Sequence, residues 1–190
     1  MHDLPPFNLA VLLLPASAIY LTVFACALRV TNSPVAACVL GAVKALLYLL
    51  YFGLFFDGTF TFLDDWTYLD GGAELRAEGV NLLTAIDNFP LLLAVGQGEH
   101  FVYYLYNAVA FDLFGEGYYA PVALNIMTTA LTALLATRIA VREQLISGKV
   151  RELFFAFILL HPDILAWSTV LNGKDVLVLF LHVLLLNAFS

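Results

Sequence analysis

The chain has 190 residues, of which 62% are hydrophobic and 12% are charged, and its mean hydropathy is +0.91. This composition excludes an ordinary soluble domain, because the apolar stretches are long enough to cross a bilayer. The formal net charge of −7 argues against a nucleic-acid partner, since few basic side chains can neutralise phosphates. Cys26 and Cys38 lie inside apolar segments as small hydrophobic residues, and no Cys/His metal-ligand spacing occurs. We therefore predict no cofactor, with a divalent metal ion as an open alternative.

Two apolar segments at the N-terminal end predict transmembrane helices at about 9–28 and 35–56. We expect the first to be retained, because its apolar run is too long for a signal peptide and no basic region precedes it. Lys44 lies within the second segment, where a charge is expensive. Two interpretations stay open for Lys44: its ammonium reaches the membrane surface on the Arg29 side, or it faces the bundle interior and pairs with an acid or an anionic head group.

The segment from 57 to 119 is strongly acidic and leaves the membrane pattern. Residues 62–81 have helical periodicity with one apolar and one acidic stripe, which is typical of a helix lying at a membrane surface. The apolar stripe comprises Trp66, Leu69, Ala73, Ala77 and Val80. Asp64 and Asp65 stand at the start of this helix, where one carboxylate suits the N-cap or the first turn. The second carboxylate is not needed for capping.

Three further apolar segments follow at about 120–140, 153–167 and 176–190. Basic side chains are concentrated between the first two of them, so the positive-inside rule places that loop in the cytoplasm and 57–119 outside as an external loop. His100–Phe114 is apolar and rich in tyrosine but shorter than a usual span. We expect it among the head groups, with a short crossing as the alternative. The result is five spans.

This topology brings two polar regions to the outer side of the membrane. One contains Asp64 and Asp65, and the other is the turn with Lys174 and Asp175. We therefore predict an all-α, polytopic transmembrane helical bundle that carries an extracytoplasmic amphipathic-helix loop. Residues 1–190 would form a single multi-pass module in the cytoplasmic (plasma) membrane.

The acidic segment begins with Asp64-Asp65-Trp66-Thr67-Tyr68 and continues with Gly72-Ala73 and Gly79. This pattern resembles the first-loop motif of the GT-C glycosyltransferases. These are polytopic enzymes that use polyprenyl-phosphate sugars, and they include protein O-mannosyltransferases and the aminoarabinose transferases of lipid A. Further on, Phe111-Asp112-Leu113-Phe114-Gly115 resembles the family's Leu-Phe-Gly turn.

A later part of the chain, Trp167-Ser168 followed by Gly173-Lys174-Asp175, is similar to an outward turn of the same family that carries a basic residue and an acid. The resemblance covers roughly residues 35–190 and rests on order and spacing. The family has one helix before the acidic loop, whereas two precede it here. Family members are also several hundred residues long, so we expect this chain to be an N-terminal module of a longer protein.

The resemblance implies that a sugar is transferred from polyprenyl phosphate to an acceptor at the extracytoplasmic face. Such a reaction needs a base for the acceptor hydroxyl and a cation for the leaving phosphate. Asp64 is the candidate base, and Asp65 is the alternative base or an orienting neighbour. Lys174 is the first candidate for the phosphate contact. Lys44 and Arg76 are secondary candidates.

Three further residues are candidate substrate contacts. Tyr68 belongs to the first-loop motif, and His100 could contact substrate or serve a structural role. Asp175 could orient Lys174, bind a hydroxyl, or form a simple local ion pair with Lys174. The expected partners are the polyprenyl-phosphate sugar, the bilayer and further membrane subunits.

Two other classes of function stay open. A non-catalytic membrane subunit or a truncated remnant would suit the short chain. A transporter module would use Lys44 and Asp112 as intramembrane charges, although no repeat or pair of broken helices is visible in the sequence.

Overall fold

The computed structural model describes residues 9–58, 63–96, 98 and 100–189. These residues form helices joined by short turns, and no β-strand occurs among them, which confirms the predicted all-α class. The helices are α1 (Leu9–Thr31), α2 (Pro34–Leu50) with a π-helical extension (Tyr51–Phe55), α3 (Leu63–Ala77), α4 (Phe89–Val95), α5 (Phe101–Phe114), α6 (Tyr119–Arg142), α7 (Gly148–Leu160), α8 (Pro162–Thr169) and α9 (Asp175–Phe189).

Three helices are long and apolar enough to cross a membrane: α1, α2 with its π-helical extension, and α6. They contain 23, 22 and 24 residues, and each coincides with a segment predicted to span. At about 1.5 Å per residue, each exceeds the ~30 Å thickness of a hydrocarbon core. α5 and α9 are apolar but shorter, with 14 and 15 residues. The long apolar helices indicate a membrane protein.

The segment predicted as a span at 153–167 corresponds to two helices, α7 and α8. His161 separates them in an extended conformation, with ψ 132°, and Pro162 begins α8. The physical reason is the proline, which disfavours helical geometry in the residue before it and lacks the N–H that a continuous helix would need.

A tight turn joins α1 and α2 into a hairpin. Asn32 adopts the left-handed conformation with φ 54°, and Ser33 Oγ then accepts a hydrogen bond from the Ala36 N–H at 3.3 Å, which caps α2. Farther from the turn, a Cβ at Gly41 would lie 3.0 Å from the carbonyl oxygen of Tyr20. The two helices therefore approach closely because position 41 has no side chain.

Lys44 lies on the inward face of α2 and is fully buried. The interpretation in which its ammonium reaches the membrane surface on the Arg29 side is therefore wrong. Among the described residues its Nζ has no hydrogen-bond partner. A buried polar group without a partner costs free energy, so Lys44 is a destabilising feature of the described fold.

α3 packs against α5 through two adjacent glycines. A Cβ at Gly71 would lie 2.6 Å from Cδ2 of Tyr104, and one at Gly72 would lie 2.6 Å from Cβ of Asn107. A larger residue at Gly72 would also meet backbone atoms of Asn107 and Ala108 and would force the helices apart, whereas one at Gly71 would displace the Tyr104 ring. The glycine pair therefore sets both the distance between α3 and α5 and the face of α3 that is buried.

That buried face differs from the apolar stripe predicted for residues 62–81. Ala77 is exposed, and Trp66, Leu69 and Ala73 are only half-buried at the edge of the main core. The buried residues of α3 are Asp65, Tyr68, Gly71, Gly72 and Leu75. The rotation follows from the glycine contact with α5, which turns a partly polar face inward.

An ion-pair cluster joins the C-terminal ends of α3 and α5. The Arg76 guanidinium lies 3.1 Å from a carboxylate oxygen of Asp112 and 3.5 Å from one of Glu116. All three side chains are more than 40% exposed. Arg76, a secondary candidate for phosphate, is thus already paired, and Asp112 is a surface acid in the structure.

Candidate functional site

The second carboxylate of the acidic motif is buried and held by a tyrosine. Asp65 is 3% exposed, and its Oδ2 accepts a hydrogen bond from the Tyr118 hydroxyl at 2.7 Å. Burial raises the pKa of Tyr118 well above its usual value, and the hydrogen bond to Asp65 and the negative charge of that carboxylate raise it further. Tyr118 therefore stays protonated as a donor, and it ties the start of α3 to the start of α6.

Asn172 lies at the centre of the contacts around this pair. Its backbone N–H donates to the Tyr118 hydroxyl at 3.1 Å, and its Nδ2 donates to the backbone carbonyl of Asp65 at 3.1 Å. The same Nδ2 donates to Oδ1 of Asn107 at 2.9 Å, and its Oδ1 accepts from the Tyr103 hydroxyl at 2.8 Å. One buried asparagine thus contacts α3 and α5 through its carboxamide and the residue before α6 through its backbone N–H.

A second asparagine, Asn125, contacts the turn on either side of position 172. Asn125 Nδ2 lies 3.4 Å from the carbonyl oxygens of Leu171 and Gly173 and 3.3 Å from the Tyr103 hydroxyl. Asn107 Nδ2 donates to the carbonyl of Tyr103 at 2.8 Å. We call this set the amide network: Asp65, Tyr103, Asn107, Tyr118, Asn125 and Asn172. These buried hydrogen bonds rigidify the region that contains them, while Asn125 Oδ1 has no hydrogen-bond partner among the described residues.

The predicted cation lies beside this network. Lys174 Nζ lies 3.2 Å from Nε2 of His100 and 5.8 Å from the centroid of the Tyr68 ring. The Tyr68 and His100 rings meet edge to face, with centroids 5.7 Å apart. His100 adopts the left-handed backbone conformation with φ 53°, which is uncommon outside glycine. We call Tyr68, His100 and Lys174 the Lys174 cluster.

Asp64 is exposed and stands next to the Lys174 cluster along α3. It precedes Tyr68 by four residues, so the two side chains lie on the same helix face, with Cβ atoms about 5–6 Å apart. Burial raises the pKa of Tyr104, and the nearby Tyr68 and Asp64 raise it further. Asp64 is thus an accessible acid beside Tyr68, whereas Asp65 is a buried one.

Asp175 is exposed in the first turn of α9. A carboxylate is favoured there by the helix dipole. Among the described ion pairs none joins Asp175 to Lys174, whose ammonium lies against His100 instead. The structure therefore brings Tyr68, His100 and Lys174 into contact, with Asp64 and Asp65 at the start of the helix that carries Tyr68, and it leaves Asp175 exposed at the start of α9.

Sequence reasoning did not identify most of the amide network. Asn107 and Asn125 lie inside apolar helices, where a buried amide is expensive unless it has partners, and this was the signal available. Tyr118 and Asn172 carry no such signal, because each lies at the edge of a turn. Their role depends on contacts 53 and 107 positions away in the chain.

Within the part of the chain that the structure describes, no three His, Cys, Asp or Glu side chains converge as metal ligands. Cys26 is buried and Cys38 is exposed, and neither forms a disulfide. The acidic and basic side chains of the candidate site are thus two carboxylates, a lysine and a histidine.

Comparison with known proteins does not assign the chain. No family model, curated protein or solved structure matches it significantly.

Proposed function

We propose that this chain is a membrane-embedded glycosyltransferase module that transfers a hexosyl or pentosyl group from a polyprenyl phosphate to an acceptor hydroxyl. One observation carries the proposal. The turn that bears Lys174 is hydrogen-bonded through Asn172 to the helix start that bears Asp64 and Asp65. An acid and a cation, the two groups that this reaction needs most, therefore belong to one rigid region.

Lys174 is the proposed contact for the donor phosphate. Its side chain is half-buried against the Tyr68 ring, which leaves the ammonium with fewer conformations to lose on binding. The imidazole of His100 lies 3.2 Å from the Lys174 ammonium. An anionic phosphate beside both groups would accept hydrogen bonds from the ammonium and from an imidazole N–H.

Asp64 is the proposed base, because it is the acid of the pair that an acceptor can reach. Asp65 is only 3% exposed and already accepts the hydrogen bond of Tyr118, so we assign it the orienting role. In the reaction, the acceptor oxygen bonds to the anomeric carbon as its proton passes to Asp64. The bond between that carbon and the phosphate oxygen breaks, and its electron pair leaves with the lipid phosphate.

The membrane arrangement proposed with this function has five crossings in the plasma membrane. Residues 57–119 and the turn with Lys174 face outward, and the loop after α6 faces the cytoplasm, as the charge distribution predicts. A donor lipid would then lie with its chain in the bilayer and its phosphate at the depth of the Lys174 cluster. Further membrane subunits would complete the acceptor side.

The test is sugar transfer by the purified protein in nanodiscs, supplied with labelled hexosyl and pentosyl polyprenyl phosphates. Lys174→Ala should raise the KM for the donor and lower kcat, because a phosphate contact acts in both the ground state and the transition state. Lys149→Ala is the matched control, since Lys149 is an exposed lysine in the first turn of α7. A folded wild type that transfers no sugar from any of these donors would contradict the proposal and favour a non-catalytic membrane subunit.

A further inference from the structure

The turn before α9 is held almost entirely by buried side chains of other elements. Asn172 is fully buried, and its amide and backbone N–H contact α3, α5 and Tyr118. On either side of it, the carbonyls of Leu171 and Gly173 lie within 3.4 Å of Asn125 Nδ2. Three consecutive residues are therefore fixed by partners at least 46 positions away in the chain.

Lys174 follows directly after this turn, and α9 begins at the next residue. A lysine side chain has four rotatable bonds, so the position of its ammonium is only as well defined as its backbone. The contacts of Asn172 fix that backbone against Asp65, which neighbours the proposed base. Asn172 thus ties the backbone beside Lys174 to the start of α3 without contacting the ammonium of Lys174.

A carboxamide is the side chain that this position requires. Nδ2 donates to two acceptors, the Asp65 carbonyl and Asn107 Oδ1, while Oδ1 accepts from Tyr103. Aspartate has the same shape but no N–H groups, so both acceptors would face a carboxylate oxygen. A buried acceptor without a donor is costly, and an added negative charge close to Asp65 would be costlier still.

We propose that Asn172 is a positioning residue that holds Lys174 in register with the acidic start of α3. The inference rests on the proposed function for its catalytic part. Its structural part, the immobilisation of the turn, can be measured without any substrate.

The structural part is tested by hydrogen–deuterium exchange of the protein in nanodiscs. Asn172→Asp should increase exchange in residues 170–175, because the turn loses its central donor. Tyr106→Phe is the matched control, since it removes a partly buried hydrogen bond of α5, to Thr128 at 2.9 Å, that lies outside the amide network. Unchanged exchange in Asn172→Asp would overturn the inference. If this variant does not fold, Asn125→Ala, which releases the turn from its other side, is measured in the same way.

The catalytic part is tested by a double-mutant cycle on sugar transfer. Asn172→Asp should lower kcat/KM by about 10- to 100-fold, the usual cost of a misplaced catalytic group. Combined with Lys174→Ala, it should lower kcat/KM no further than the worse single variant, because both changes remove the same contact. Multiplicative losses would mean that Asn172 only stabilises the fold, and this would overturn its role through Lys174. A wild type without transfer activity would defeat the proposed function alone, and the exchange result would then decide the inference.

Discussion

Tyr118 donates its hydroxyl hydrogen to Asp65 at 2.7 Å, and both residues are at most 3% exposed. The contact joins two helix starts that are 53 positions apart in the chain. Because of this contact, the two carboxylates of the acidic pair, Asp64 and Asp65, have different environments. One carboxylate is part of the folded framework, and the other remains accessible on the same helix.

Tyr118→Phe should destabilise the protein by about 1–3 kcal/mol, because it removes the hydrogen bond that Tyr118 donates to the buried Asp65 carboxylate. Thermal unfolding in detergent measures the effect. Tyr119→Phe is the matched control, since the Tyr119 hydroxyl donates to the neutral Phe114 carbonyl at 3.2 Å and is only partly buried. Equal losses in the two variants would contradict a special role for the pair of Asp65 and Tyr118.

The pair of Tyr118 and Asp65 also predicts that the unfolding free energy falls at alkaline pH. Burial raises the pKa of Tyr118 above the usual tyrosine value of about 10, so the unfolded chain loses this proton at a lower pH than the folded protein does. The stabilisation is fully present below about pH 10 and is lost as the pH rises further. The unfolding free energy of the wild type should therefore fall more steeply above pH 10 than that of Tyr118→Phe. Parallel curves would argue against the raised pKa.

Gly72→Ala should destabilise the protein by about 1–3 kcal/mol through overpacking, because the new Cβ would lie 2.6 Å from Cβ of Asn107. The change should also impair function, since Asn107 belongs to the amide network. Gly53→Ala is the control, because the nearest atom to its Cβ is 4.0 Å away. Thermal unfolding of both variants is the measurement. An unchanged unfolding temperature in Gly72→Ala would show that α3 does not pack on α5 at this distance.

Lys44→Met should leave the unfolding temperature unchanged or raise it. Methionine keeps most of the length of the side chain while removing a buried amine that has no hydrogen-bond partner among the described residues. Thermal unfolding in nanodiscs is again the measurement. A fall of several degrees would mean that Lys44 makes a stabilising contact that the described residues do not supply, and it would favour a functional cation at that depth.

The proposed topology predicts that position 78 is outside and position 147 is inside. Both Glu78 and Ser147 are exposed, so a cysteine at either position should react when reagent reaches it. In a variant lacking Cys26 and Cys38, a membrane-impermeant thiol reagent applied to intact cells should label Glu78→Cys but not Ser147→Cys. The reverse pattern would contradict the outward placement of the acidic segment.

The long apolar helices were predictable because length and composition decide them. α1, α2 and α6 coincide with the predicted spans, whereas Pro162 divides the segment predicted as one span at 153–167 into two helices. The face of α3 was not predictable from periodicity. The contact of Gly72 with α5 decides it, and such a close approach overrides the apolar stripe.

The candidate site was predicted in part. Order and spacing selected the acidic pair, Tyr68, His100 and Lys174. The structure places Tyr68, His100 and Lys174 against one another, while Asp64 and Asp65 lie at the start of the helix that carries Tyr68. The amide network could not be predicted, because an asparagine in one apolar helix indicates only that some partner exists. Which partner it contacts is a long-range property, as Asn172 and Asp65 illustrate.

The most direct test of the account is sugar transfer from labelled polyprenyl phosphates by Asp64→Asn, compared with Asp70→Asn as an exposed carboxylate of the same helix. Asparagine keeps the shape of the side chain but cannot accept the proton of the acceptor. We expect Asp64→Asn to fold normally and to lose about 10²- to 10⁴-fold in kcat, whereas Asp70→Asn stays near the wild-type rate. Near-normal turnover by Asp64→Asn would contradict the assignment of Asp64 as the base and with it the central claim.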